Sequence, residues 1–315
     1  MTLQFGVLVP QGWTMDLAGI KDPVQAYETM TRVAQTAEEV GFASAWLVDH
    51  FHTIPYPSQE VTFECWTTTA ALARDTSTIR IGQMVTCNSY RHPALLAKMA
   101  STVDVLSHGR LNVGIGAGWS EQEYRAYGYA YPDGPERLRQ LREAVQVMLG
   151  MWTQEEAYFE GTYYQVRGAI NRPKGVQQPH IPLLIGGDGE KVTLKLVAQY
   201  ADACNVGDDP PTVKQKLAIL KQHCATVGRD YESIHRTSTT FCLIADRDEL
   251  ARAQLPTERK ARIGNKVTTA LIGSPETIRQ RLVAYEEAGV QELVLRFVDG
   301  TNLEALRRFA REFIA

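Results

Sequence analysis

The chain has 315 residues, 44% hydrophobic and 22% charged, with a net charge of −3, a balance that excludes disordered and fibrous classes. Lys and Arg are spread evenly among the acids, without the basic excess or stripe of a nucleic-acid binder, and no apolar run reaches the roughly 18 residues that would span a membrane. The five cysteines, at positions 65, 87, 204, 224 and 242, form neither a C-x-x-C pair nor a zinc-ligand spacing, so neither disulfides nor a metal are expected and a reducing cytoplasm suits the chain.

Short β-rich runs alternate with helical patterns from end to end. Residues 1–6 lead straight into the first run, 3–9, without the basic and long apolar regions of a signal peptide. A helix is predicted over 22–41, where Ala26, Met30, Val33, Ala34, Ala37 and Val40 recur at helical spacing and Gly41 stops it. The second run, 44–48, precedes a Pro-containing loop and a helix over 65–74. The third, 79–85, precedes a helix from Pro93, a good first-turn residue, to about 106. The fourth is 111–115, followed by a loop and a helix to about 152. The fifth, 181–185, leads to a helix from about Glu190 to 200, and the sixth, 203–206, to one over 211–227. The seventh, 237–245, and the eighth, 293–297, flank a helix over 274–288, and a helix over 303–313 closes the chain.

Eight runs separated by helices predict an α/β fold of the closed (β/α)8 TIM-barrel type, one domain over 1–315. An open doubly wound sheet competes, but no G-x-G-x-x-G turn follows the first run and the strand count suits closure. Two segments break the alternation as insertions over one barrel face. Residues 156–180 read as a β-hairpin turning at Glu160-Gly161. Residues 246–272 are charged and irregular, with Pro256 and Gly264.

In such a barrel the reactive groups stand at the C-terminal ends of the strands. Asp49-His50 follows the second run. The pair suits acid–base work, because an imidazole titrates near neutrality, or else it satisfies backbone groups in a loop. Val85, Thr86, Cys87 and Asn88 end the third run, where small polar residues can pass close under a flat ring. Cys87 reads as a small packed residue rather than a nucleophile, since no base partner is specified. Gly116-Ala117-Gly118 follows the fourth run and lets backbone approach a ligand, or serves plain turn chemistry. Gly186-Gly187-Asp188-Gly189 follows the fifth. It is either a tight βα loop or a turn whose backbone N–H groups meet a phosphate at a helix start. The seven histidines are scattered, without H-E-x-x-H, and G-x-S-x-G is absent. His50 and His52 alternate along an extended chain and are expected to point to opposite sides.

Taken together, Pro10-Gln11, Trp46-Leu47-Val48-Asp49-His50-Phe51, Asn88-Ser89-Tyr90-Arg91-His92-Pro93, Gly109-Arg110-Leu111, Gly114-Ile115-Gly116-Ala117-Gly118-Trp119 and Ile185-Gly186-Gly187-Asp188-Gly189-Glu190-Lys191 resemble the luciferase-like monooxygenase superfamily, most closely its coenzyme F420-dependent branch. The resemblance implies an oxidoreductase that moves a hydride between the deazaflavin and a small organic substrate, in a homodimer. An FMN-dependent two-component monooxygenase and a non-catalytic flavin-binding protein are the alternatives. It also implies residue roles. His50 is the catalytic base and Asp49 bonds the cofactor edge. Val85, Thr86, Cys87 and Asn88 back the ring, with a non-proline cis bond expected at about 85–87. Ala117 and Gly118 border the ring or its side chain. Gly186, Gly187, Asp188 and Gly189 take the phosphate, and the 156–180 hairpin is an insertion of the class. Ile54 stands near the place where related dehydrogenases carry an aromatic, and no Lys/Arg cluster marks the mouth. A neutral or apolar substrate is therefore expected rather than a sugar phosphate.

Overall fold

The computed structural model describes residues 3–207, 209–257 and 264–314. Met1 and Thr2 of the N-terminal reading, and residues 258–263 of the second insertion, lie outside the described residues. The strands are β1 (Gln4–Leu8), β2 (Ser44–Leu47), β3 (Arg80–Gln83), β4 (Thr86–Cys87), β5 (Leu111–Gly116), β6 (Glu156–Glu160), β7 (Gln165–Ile170), β8 (Leu183–Gly186), β9 (Ala203–Asn205), β10 (His235–Ile244), β11 (Leu271–Gly273) and β12 (Glu292–Phe297). The main sheet runs β11-β10-β12-β1-β2-β3-β5-β8-β9, and β9 pairs back onto β10, so it closes on itself. Its ladders are parallel, and the eight predicted runs are its barrel strands. Strands such as β5 and β8 read as largely apolar runs because parallel strands between helices are covered on both faces, whereas β10 carries a Thr-Ser-Thr-Thr stretch.

The helices are α1 (Pro23–Glu39), α2 (Cys65–Asp75), α3 (Pro93–Leu106), α4 (Glu121–Ala126), α5 (Gly134–Thr153), α6 (Thr193–Tyr200), α7 (Pro210–Val227), α8 (Asp248–Gln254), α9 (Pro275–Glu287) and α10 (Leu303–Phe313). Four of them start by one chemistry. Asp22, Asp133, Asp209 and Ser274 each accept a first-turn N–H, and a proline stands in that turn, where its missing donor costs nothing. The apolar faces of the helices cover the barrel's outer wall in one continuous core. Inside the barrel, Trp46, Leu184 and Val294 form a separate plug. Trp46 fits there because Gly82 is its neighbour; a Cβ on Gly82 would stand 2.7 Å from the indole.

Three features depart from the sequence reading. The third run is not one strand: β3 stops at Gln83, Met84–Val85 is a non-proline cis bond, and β4 resumes against β5. The cis bond thus lies at the front edge of the expected 85–87 span. α6 starts at Thr193 rather than Glu190, because the glycine-rich turn continues to Val192. The second insertion is not wholly irregular, since α8 and β11 lie in it and β11 extends the sheet beside β10. The first insertion holds the predicted hairpin, β6 against β7, which turns over 161–164 rather than at Glu160-Gly161 and ends at Ile170. Its turn is tied to α5 by Glu143, which accepts the N–H groups of Thr162, Tyr163 and Tyr164.

Candidate active site

Closure of the barrel brings the ends of β2, β4, β5, β8, β9, β10 and β12 to one rim. The glycines at the ends of β5 and β8 are required by packing. A Cβ on Gly114 would meet the Gln83 carbonyl at 1.9 Å, and one on Gly116 or on Gly186 would meet the Val85 methyls at 2.8 Å. These glycines therefore make the seat for the 84–85 bend. Gly118, at φ +79, adopts a backbone that a side chain resists, and a Cβ there would lie 2.0 Å from the Tyr124 hydroxyl.

A cavity of about 360 Å³ opens over this bend, lined among others by Asp49, His50, Val85, Thr86, Cys87 and Gly118. A second, of about 320 Å³, adjoins it and is lined by Gly116, Ala117, Gly118, Gly186, Gly187 and Thr193. Met84, Val85, Gly118, Trp119 and Asn205 belong to both, so the two form one trough. Its far end meets the start of α6, where no side chain caps the first N–H groups.

Most of the residues singled out in the sequence meet along this trough. Asn88, Asp188 and Gly189 do not line it. The Asn88 amide donates to the Tyr164 hydroxyl at 3.2 Å and so holds the hairpin. The Asp188 carboxylate accepts the Gly207 N–H at 2.7 Å and ties the ends of β8 and β9 together. Gly189 packs on the Thr193 side chain, which a Cβ would meet at 2.6 Å. His52 turns to its neighbour's carbonyl, Thr53 O, at 3.0 Å and is likewise outside the lining.

Asp49 is 3% exposed. Arg91 donates to both its oxygens, at 2.7 and 3.1 Å, and the Cys87 N–H to Oδ2 at 2.9 Å. Arg91 also reaches Glu64. Burial pushes the Asp49 carboxyl up, and Arg91 and the Cys87 N–H offset that. The carboxylate is thus fastened to the 86–91 segment, which fixes the cavity floor.

His50 is clamped. Its ring lies parallel to Trp13, 4.6 Å between centroids and 3° between planes, and edge-on to Trp119 at 5.4 Å. Its Nδ1 is 2.7 Å from Oε2 of Glu123, and the other Glu123 oxygen accepts the Phe51 N–H at 2.7 Å. Glu123 is fully buried. Burial opposes its charge, but the bonds from His50 and the Phe51 N–H hold its carboxyl below the usual carboxylate range.

Cys87 is the small packed residue of the sequence reading: its sulfur sits 3.0 Å from the Tyr124 hydroxyl, and burial pushes its thiol up to about 11. Burial does the same for Cys204, to about 12, and raises Cys65, Cys224 and Cys242. All five cysteines are free and buried. We expect a thiol-reactive chromogen such as DTNB to label none of them in the native protein at neutral pH and all of them after denaturation. Rapid native labelling would contradict this packing.

Sequence reasoning missed Glu123, Trp13, Arg91 as the partner of Asp49, and Arg296. Glu123 carried one signal: Ser120-Glu121-Gln122-Glu123 has the S-x-x-E pattern of a capping box. The Ser120 side chain makes no cap bond to α4, and the glutamate is turned to His50 instead. No Lys/Arg cluster is expected at the mouth, and two cations that are separate in the sequence reach it. Arg296 and Lys266 line the first cavity, with the Arg296 guanidinium between Trp13 and Phe241, at 5.0 and 4.8 Å. Ile54 does not line this cavity; Trp13 and Trp119 supply the aromatic faces beside His50.

The profile of the luciferase-like monooxygenases matches residues 3–268. The chain belongs to the luciferase-like monooxygenase family. As a member it is an oxidoreductase. An uncharacterized protein of Mycobacterium tuberculosis is 33% identical over 218 residues, 64% of this chain and 76% of that one. An F420-dependent glucose-6-phosphate dehydrogenase of Amycolatopsis mediterranei is 30% identical over 216 residues, 66% of this chain but only 62% of the dehydrogenase. An F420-dependent secondary alcohol dehydrogenase, solved with an F420-acetone adduct, shares the luciferase-like barrel at a TM-score of 0.80 and 22% identity, over 99% of this chain and 98% of its own. Among the described residues no helix is long and apolar enough to cross a membrane.

Proposed function

We propose that this luciferase-like protein is an F420-dependent oxidoreductase, moving a hydride between the deazaflavin and a small organic substrate, with His50 handling the substrate proton. The observation that carries the reading is the His50 imidazole, clamped beside a trough that continues over Val85 to the glycines before α6. The dehydrogenase relatives support the choice of F420.

The residues present fit such a cofactor. Leu8, Val48, Met84 and Val85 give the first cavity an apolar floor for a flat ring. Gly186, Gly187 and Thr193 line the second cavity at the start of α6, which no side chain caps, so a phosphate on the tail would sit against the positive end of that helix. Asp49 acts through the floor it fastens. When bound, the deazaflavin supplies the carbon that takes or gives the hydride. Nε2 of His50 would take the substrate's proton in the oxidative direction and return it in the reductive one. Trp13 and Trp119 keep the imidazole from swinging out of reach.

Titration of the purified apo-protein with F420 and, in parallel, with FMN tests the reading through cofactor fluorescence. Tight F420 binding with weak FMN binding is expected. A preference for FMN would replace it with a two-component monooxygenase, to be followed by oxygen consumption. Binding of neither would leave the trough without its proposed occupant.

A further inference from the structure

We infer that Glu123 is the positioning residue for His50, setting the imidazole tautomer so that the proton sits on Nδ1 and the lone pair on Nε2. This rests on the reading of His50 as the proton-handling group.

The geometry is specific about donors and acceptors. An ionised carboxylate only accepts, and a neutral imidazole carries one N–H. Nδ1 faces Oε2 of Glu123 at 2.7 Å, with the Tyr90 hydroxyl donating to the same oxygen at 3.4 Å. An acceptor opposite Nδ1 requires the hydrogen there, which leaves Nε2 bare on the side of the ring away from Glu123. A half-turn of the ring would keep the stack on Trp13 but place a C–H where Nδ1 meets Glu123, so the carboxylate selects the orientation with Nδ1 facing it. Full burial of Glu123 removes water as a competing partner.

A plainer role for Glu123 would be to satisfy the Phe51 N–H alone. Glu123→Gln separates the two. The Phe51 N–H can only donate, so it claims the glutamine carbonyl. The amide NH2 is then left opposite Nδ1. A donor there demands a lone pair on Nδ1, and the imidazole proton moves to Nε2, where it blocks proton acceptance. The variant is nearly isosteric and keeps the backbone bond, so a purely structural glutamate would tolerate it.

The test is nitrogen-15 NMR of the histidine-labelled protein at alkaline pH, with the His50 signals identified by their loss in His50→Asn. In the wild type Nδ1 should be the protonated, pyrrole-like nitrogen and Nε2 the pyridine-like one; in Glu123→Gln the two should exchange. F420-dependent turnover of the variant should fall by about 10²–10⁴-fold, the cost of a misprotonated base held in the right place. Its F420 dissociation constant should stay near the wild-type value. A wild-type ring protonated on Nε2, or a Glu123→Gln ring still protonated on Nδ1, would overturn the inference. If the tautomers exchange but His50→Asn retains full turnover, Glu123 orients the ring as stated, and it is the proton-transfer role of His50 that fails.

Discussion

Replacing His50 with alanine should lower F420-dependent turnover by about 10²–10⁴-fold, the span general acid–base catalysis contributes, and leave cofactor affinity nearly unchanged. The imidazole stands against Trp13 and Trp119 with one nitrogen committed to Glu123. Its removal therefore takes away a proton acceptor and none of the glycine end of the trough, which His50 does not line. Stopped-flow turnover and an equilibrium titration on the same preparation separate the two effects. A fall in affinity without a fall in kcat would assign His50 to binding. An unchanged kcat would remove it from the chemistry. The alanine leaves Glu123 buried beside the Phe51 N–H without its imidazole, so some loss of stability accompanies the kinetic effect. A melting curve shows whether the kinetic loss belongs to folded protein.

The barrel was legible because its information is local. Most of the strands are short apolar runs buried by helices on one side and the barrel interior on the other, and several helices carry their own start signal, as at Asp22-Pro23 and Ser274-Pro275; α6, which no side chain caps, is the one whose start the sequence misplaces. Asp49-His50 was legible for the same reason: both residues follow one strand, and the rule that barrel sites sit at strand ends points to them. Glu123 lies 73 positions from His50 and stands in a helix with a second acid, Glu121, that pairs with Arg125. Nothing local tells the two glutamates apart; closure of the barrel does. The same holds for Trp13 and Arg296, which come from opposite ends of the chain and meet only because β1 and β12 are neighbours. The glycines carry a second constraint that their spacing does not show. Gly116 and Gly186 line the trough, and their missing side chains also make room for Val85, as that of Gly114 does for the Gln83 carbonyl. The S-x-x-E pattern at Ser120 is a local rule left unused where a site competes for the same carboxylate.

Arg91→Ala should destabilise the protein by about 3–5 kcal/mol at neutral pH, the cost of leaving one member of a buried ion pair without the other. Arg91 makes two of the three hydrogen bonds to Asp49, and the third comes from the Cys87 N–H. The loss has a definite pH dependence. Burial already raises the Asp49 carboxyl above its ordinary value, and Arg91 is the main group opposing that rise. Without it, the folded-state value moves further up while the unfolded value stays put. A group whose folded value is raised binds its proton more tightly in the native state, so stability is retained below the unfolded value and lost as pH climbs through the folded one. The deficit of Arg91→Ala should therefore be largest at neutral and alkaline pH and shrink in mild acid, where Asp49 becomes a neutral hydrogen-bonding acid. Urea unfolding of both proteins across that range measures it. A deficit independent of pH would mean that Arg91 stabilises the 86–91 segment by packing alone. Because that segment forms the cavity floor, the variant that remains folded in mild acid should regain F420 binding there, which ties the charge pair under the floor to the site above it.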